Sequence, residues 1–360
     1  MYLFNAGYNG THPAVDDNGK SWKAESASAL RAGQPLCDGK YFLVFMNGAG
    51  DLEYLSNDLK FPHHASLHPC WLCAASRAAG TDAPITDCRV GAVWKERLVP
   101  HAVGAAVHPS EHPIFTLTGC TRFCFHGDLQ HTYHLGVDGY FVGSVFSDII
   151  ENHGWPGSAE AKTEQLWDLV RLQYGKFDSP TRIACLRHAM FKQPGRWASM
   201  RGHAMEIYQL LCCLPFVLEV LFDGSPYHQA RLQACRHLLR IHAIFSDGGV
   251  FLGDAAAAEA LTCADQFLLL NNLLLNVAVE RHQLHYGLVT KHHLMWHIAD
   301  LSKFQNPKFT ACFEFEDFMG KVKKCAQASM AGSSLPLIGS KVLECFLLAI
   351  HLRLQSLVDQ

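Results

Sequence analysis

The spacing of apolar residues changes near residue 155. Before that point apolar residues come in short runs of strand length, and two of these runs, 40–47 and 113–118, predict strands. After it, apolar residues recur with the period of an α-helix. The predicted helices cover 158–174, 197–222, 226–245, 254–282, 290–304, 311–330 and 336–357. The pattern therefore predicts an α+β chain that is mostly helical.

Local signals add detail to two of these helices. Ser225 followed by Pro226 predicts a helix start, because Ser caps free backbone N–H groups and Pro suits the first helical position. Pro215 lies inside the predicted helix 197–222, where a residue without a backbone N–H predicts a kink. The sequence thus marks one helix boundary and one distorted helix.

Composition is that of a folded protein without a membrane span. The 360 residues are 49% hydrophobic and 18% charged, which excludes a disordered chain and suits one large domain or two unequal ones. The formal net charge of −3 argues against a strongly basic nucleic-acid binder but allows a local basic patch. No apolar run reaches the roughly 18 residues that a membrane helix needs, and the N-terminus does not resemble a signal peptide. The 14 Cys are expected to be mostly free thiols in a reducing compartment.

Two short motifs contain residue types that bind zinc. Cys70 and Cys73 form a C-x2-C pair, which can present two thiolates to one metal ion or can be two ordinary thiols. His293 and His297 are four residues apart in a predicted helix, so their side chains point the same way. That spacing suits a zinc-binding helix, and it also suits a partly buried polar helix face. Spacing alone leaves both alternatives open for each pair.

Three acidic residues are candidates for holding a catalytic metal ion. Asp51 directly follows the predicted strand 40–47, where open α/β sheets keep their sites, but it can also cap a helix that begins at Leu52. Glu316 lies in the segment CFEFEDFMGKVKK, for which a solvated helix face is the alternative. Asp128, in FHGDLQH, is a less favoured candidate.

Taken in order, these motifs resemble a known family. Three segments of the chain resemble eukaryotic cut-and-paste transposases with a ribonuclease-H-like fold. The most similar members are of the CACTA type and from protist transposons. The segments are GDLEYLSNDLKFPHHASLHPCWLC, DLQHTYHLGV and KHHLMWHIAD…NPKFTACFEFEDFMGK. Asp51 precedes Cys70 by 19 residues and His297 precedes Glu316 by 19, which resembles the spacing in that family. The resemblance covers most of residues 7–330, and the V(D)J recombinase is more distantly similar.

The resemblance implies two kinds of metal site. The first is a structural Zn²⁺ site, whose ligands are Cys70, Cys73, His293 and His297. The second is a catalytic site in which three carboxylates hold two Mg²⁺ or Mn²⁺ ions, with Asp51 and Glu316 as the second and third. The first carboxylate has no match, because the acidic residues upstream of Asp51 lie in polar, turn-like sequence. These residues are Asp16, Asp17 and Asp38. The chain is therefore expected to lack the front of the family's core.

A domain order also follows from the resemblance. Residues 1–150 are expected to form the first part of a partial ribonuclease-H-like α/β core with the C-x2-C knuckle. Residues 155–284 are expected to form an all-helical insertion. Residues 285–335 would return to the core with the His pair and the acidic helix, and 336–360 would form a C-terminal helix.

Three hypotheses about function result. In the first, the chain derives from a transposase whose full-length ancestor cleaved DNA and transferred strands, and this chain is inactive alone. In the second, it is a non-catalytic, zinc-stabilised helical remnant that binds DNA or protein. A helical scaffold unrelated to DNA would suit the net charge of −3 best. The resemblance implies transposon-end DNA as the partner and a nuclear location, and it allows a homo-oligomer. The absence of a long apolar run predicts no membrane contact. The basic run Lys321–Lys324 offers a modest phosphate-contacting surface near Glu316.

Overall fold

A computed structural model of the chain describes most of its residues. The described residues are 2–44, 47–97, 112–176, 181–312, 320–324, 326–327, 339–344 and 347–348. The chain divides into two compact units, Met1–Thr310 and Ala311–Gln360. The described part is mostly helical, as the apolar periodicity predicts. The second unit is helical at 320–324 and 339–344.

The α-helices of the first unit fall into a sparse N-terminal set and a dense later set. The N-terminal set is α1 (Tyr2–Asn9), α2 (Ala27–Arg31), α3 (Leu52–Asn57) and α4 (Val93–Glu96). The later set is α5 (Gly139–Asn152), α6 (Ala159–Tyr174), α7 (Ala204–Val220), α8 (Pro226–Asp247), α9 (Asp254–Glu280) and α10 (Thr290–Leu301). A π-helical segment, Gln130–Asp138, runs directly into α5. The predicted helices 311–330 and 336–357 fall largely outside the described residues.

The later helices share one apolar core. Helix α9 packs against α8 and α10, and the π-helical segment packs against α7 and α10. Leu238 of α8 and Phe267 of α9 are both fully buried in this core. Helix α8 begins as predicted, because the Ser225 side chain accepts a hydrogen bond from the His228 N–H and Pro226 is the first helical residue. Helix α7 continues through Pro215 to Val220.

Helix α9 is long and apolar enough to cross a membrane by length and composition alone. A core helix passes the same test, and α9 packs against two neighbouring helices. Its Asn271 is fully buried and donates a hydrogen bond to the Tyr286 carbonyl. A buried amide with a hydrogen-bond partner in the connection to α10 suits a helix inside a protein core.

Both strand predictions in the N-terminal part are wrong where the structure describes them. Residues 41–44 form no regular element and their side chains are exposed, although the Leu43 N–H donates to the Gly7 carbonyl at 3.0 Å. Pro113–Thr116 is a short 3-10 helix, in which the His112 side chain accepts the Ile114 N–H. Within the described residues, β contacts are limited to isolated bridges such as Gly48 with Phe125. The predicted ribonuclease-H-like α/β core is therefore not supported.

Aromatic side chains, rather than paired strands, form the core of this part of the chain. Phe115 lies 6.1 Å from Phe61 and 5.6 Å from Phe125, measured between ring centroids. Phe61 also stacks on Trp71 at 5.4 Å. Offset and edge contacts of this kind stabilise a core without backbone pairing. The loops around the C-x2-C motif are thus fixed by an aromatic cluster.

Candidate metal centre

The Cys pair lies in a tight loop between α3 and α4. The Cys70 sulfur accepts a hydrogen bond from the Leu72 N–H at 3.3 Å, and the Cys73 sulfur accepts one from the Ala75 N–H at 3.4 Å. Both Cys residues are only 5% exposed. Backbone N–H groups aimed at sulfur favour the charged thiolate, which is the form that binds metal.

The His pair lies on α10, one helical turn apart. The Nε2 atoms of His293 and His297 are 3.1 Å from each other, so both rings present the same nitrogen to one place. Each residue is only 2% exposed. His292 directly precedes His293 in the sequence and faces elsewhere, where its Nδ1 atom accepts the Val289 N–H at the start of the helix. The helix period therefore selects two of the three neighbouring His residues for this site.

The structure brings the two pairs together across 220 residues of sequence. The Cys73 sulfur lies 3.3 Å from the His293 Nε2 atom. The ligand atoms of Cys70, Cys73, His293 and His297 all lie within 4.8 Å of one another. A tetrahedral zinc ion with ordinary bond lengths places its ligand atoms about 3.3–3.8 Å apart. The cluster has the size and the donor atoms to hold one metal ion.

The pKa values of the Cys and His ligands favour the binding of a cation. Burial raises the pKa of Cys70, but the hydrogen bond with Cys73 and the neighbouring His297 and His293 rings outweigh it and hold that pKa well below its usual value. The hydrogen bond with Cys70, together with burial, raises the pKa of Cys73. Burial lowers the pKa of His293, which keeps its ring neutral and able to donate a lone pair. A divalent ion bound here would compensate the thiolate charge and would release the remaining thiol proton.

Side chains that the sequence did not single out enclose the cluster. The ring of Trp94 from α4 lies 4.1 Å from the ring of His293, measured between centroids. Lys95 pairs with Asp265 of α9 at 2.6 Å, and the Trp296 indole N–H donates to the same carboxylate at 3.0 Å. This pair joins α4, α9 and α10 beside the ligands. No motif in the sequence marks Trp94 or Asp265, because their role depends on packing between distant segments.

A cleft of about 710 Å³, lined by apolar as well as charged side chains, lies beside the metal centre. Arg77, Lys291, His131 and Asp51 are among its lining residues. Asp51 also caps α3, where its Oδ1 atom accepts the Tyr54 N–H at 2.7 Å. The capping alternative for Asp51 is therefore correct, and the same residue faces the cleft.

The other two acidic candidates have different positions. Asp128 is fully buried beneath the cleft, where its carboxylate lies 2.5 Å from the His131 Nδ1 atom and accepts the His131 backbone N–H at 2.7 Å. His131, rather than Asp128, lines the cleft. Glu316 lies outside the described residues. The structure thus assembles the four predicted zinc ligands and places Asp51 at an adjoining cleft.

No family model, curated protein or solved structure matches the chain. The resemblance to transposases therefore rests on the sequence motifs, and the metal centre rests on the geometry of its four ligands.

Proposed function

We propose that this chain is a zinc-stabilised protein of transposase ancestry, which binds the DNA backbone in the cleft beside the zinc and does not cleave it. The observation that carries the proposal is the convergence of Cys70, Cys73, His293 and His297. The same four residues are the zinc ligands that the family resemblance implies. Their agreement in sequence order and in space supports both the metal and the ancestry.

Zinc suits the donor set better than the other common ions. Thiolate and imidazole are ligands that zinc prefers, whereas Mg²⁺ and Mn²⁺ prefer oxygen. Four protein ligands from Cys and His complete a tetrahedral shell, which is typical of a structural site rather than a catalytic one. Zinc at this position would fasten the loop at 70–73 to α10.

The zinc would also set the distance between two cations of the cleft. Arg77 follows Cys73 by four residues and Lys291 precedes His293 by two, so each ligand pair carries one cation with it. Arg77 is exposed, and its guanidinium contacts the Thr290 hydroxyl at the start of α10. Arg and Lys side chains are the usual contacts to phosphate oxygens. We expect DNA affinity to depend on zinc for this reason.

Cleavage is not part of the proposal. Two metal ions need several carboxylate oxygens. Within the described residues the acidic lining of the cleft is Asp51 and Glu53, and one oxygen of Asp51 caps α3. The absence of a supporting sheet in the described part removes the usual platform for such a site.

Fluorescence anisotropy with a labelled DNA duplex tests the proposed binding. We expect Arg77→Gln with Lys291→Gln to weaken binding and to lower the slope of log K against log salt by about 0.9 for each lost phosphate contact. Arg236→Gln, an exposed residue of α8 that pairs with Glu219, is the matched control and should bind like the wild type. Equal affinity of all three proteins, or no DNA binding by a zinc-loaded chain, would contradict the DNA part of the proposal.

A cleavage assay on supercoiled DNA with Mg²⁺ or Mn²⁺ tests the predicted inactivity. We expect the wild type and Glu316→Gln to leave the DNA intact. Cleavage by the wild type that Glu316→Gln abolishes would show an active nuclease and would overturn this part.

A further inference from the structure

We infer that the helical core contains a second metal site, formed by His134, Asp138 and His242. The Asp138 Oδ2 atom lies 3.1 Å from the His134 Nδ1 atom and 2.9 Å from the His242 Nε2 atom. The three ligand atoms lie within 4.8 Å of one another, and all three residues are buried. This cluster shares no residue with the Cys2His2 centre and goes beyond the proposed function.

The local backbone is unusual at this cluster. His134 and Asp138 are four residues apart on the π-helical segment Gln130–Asp138. π-Helical turns are rare, and they occur often at functional sites because the wider helix changes where side chains point. His242 comes from α8, 104 residues later, and its ring stacks on that of His134 with centroids 4.8 Å apart. Two elements therefore present three donors to one point.

The donor set defines the class of ion. Two imidazole nitrogens and one carboxylate oxygen suit a divalent transition metal such as Zn²⁺, and they are less suited to Mg²⁺. A fully buried carboxylate needs compensating charge, and a dication at this position would supply it. The Tyr208 ring packs edge-on with both His rings. Its centroid lies 5.3 Å from that of His134 and 5.0 Å from that of His242. Cys212 lies one turn further along α7, next to the Tyr208 hydroxyl.

The competing explanation is a metal-free cluster, in which both His rings donate N–H groups to Asp138. Zinc titration of the metal-free protein in competition with a chromophoric chelator distinguishes the metal site from the metal-free cluster, because it counts the bound Zn²⁺ ions. We expect two equivalents of Zn²⁺ for the wild type, one for the double variant Cys70→Ser with Cys73→Ser, and one for His242→Gln. His153→Gln, which changes an exposed His at the end of α5, should retain two equivalents.

Co²⁺ gives a spectroscopic check on the same samples. Cobalt in the double Cys variant should show ligand-field absorption without thiolate-to-metal charge transfer, because the second site contains no sulfur. Cobalt in His242→Gln should retain the charge-transfer bands. A wild type that binds a single equivalent of Co²⁺, with thiolate-to-metal charge transfer, would overturn the second site, whatever the folding of the variants. A double Cys variant that retains native circular dichroism and binds no metal would also overturn it, without bearing on the first site.

Discussion

Replacing Asp148 by Asn would perturb the buried polar centre that positions the connection before α10. The Asp148 carboxylate is fully buried in α5 and accepts four hydrogen bonds. The donors are the Tyr227 hydroxyl at 2.9 Å, the Tyr286 hydroxyl at 3.0 Å, Arg231 at 3.0 Å and the Asn152 amide at 2.6 Å. Tyr286 precedes α10 in the chain, so this centre holds the segment from which the His ligands follow.

The expected cost can be worked out from the burial of the ion pair. Asn keeps the shape of Asp148 but removes the negative charge that faces Arg231, whose side chain is 9% exposed. The side-chain NH2 group of Asn would also face hydrogen-bond donors, where Asp148 presents an acceptor oxygen. Removing one partner of a buried ion pair costs about 3–5 kcal/mol, because the other charge stays buried without compensation. That is a large part of the roughly 5–15 kcal/mol by which domains are stable.

Urea unfolding followed by circular dichroism measures this loss. Asp168→Asn is the matched control, because Asp168 pairs with Arg171 at the surface of α6 and both side chains are more than half exposed. We expect the control to lose less than about 1 kcal/mol. If Asp148→Asn costs no more than the control, the buried centre does not stabilise the helical core and the argument from burial is wrong.

Two further substitutions test other parts of the fold. Partial burial raises the pKa of Glu151, but the contact of its carboxylate with the His285 Nε2 atom at 3.3 Å and the charge of Lys192 outweigh this and lower that pKa below the usual value of 4.5. The resulting stability is present above pH 4.5 and is lost as the pH falls through the lower pKa of the folded state, so Glu151→Gln should be less stable at pH 7 and lose less stability on acidification. Thermal unfolding from pH 7 to pH 3 measures both effects, and parallel pH profiles would contradict them. Gly143→Ala should cost about 1–3 kcal/mol in urea unfolding, because a Cβ there would lie 2.5 Å from the Met200 backbone nitrogen. Gly249→Ala meets nothing within 4 Å and should change stability by less than about 0.5 kcal/mol; equal effects would show that the close approach is relieved at little cost.

The later helices could be predicted because their signals are local. Apolar residues at helical spacing and a Ser-Pro start define α8 without any knowledge of its neighbours. The same holds for each half of the metal centre, since a C-x2-C loop and an i, i+4 His pair are local patterns. That the halves meet across 220 residues followed from the family resemblance rather than from either pattern.

The N-terminal part could not be predicted in the same way. A short apolar run has the same composition in a buried strand and in an exposed loop, and 41–44 is the second kind. Pairing decides between them, and pairing is a property of distant segments. The cluster of His134, Asp138 and His242 could not be predicted for a similar reason. A π-helical segment and a partner 104 residues away leave no repeating pattern in the sequence.

Zinc K-edge X-ray absorption tests the central claim, that Cys70, Cys73, His293 and His297 bind one zinc ion. The wild type loaded with zinc should show a sulfur shell at about 2.3 Å and nitrogen at about 2.0–2.1 Å. The double variant Cys70→Ser with Cys73→Ser should lose the sulfur shell entirely. A wild-type spectrum with only nitrogen and oxygen neighbours, or a sulfur shell that survives in the double variant, would contradict the assignment of this centre.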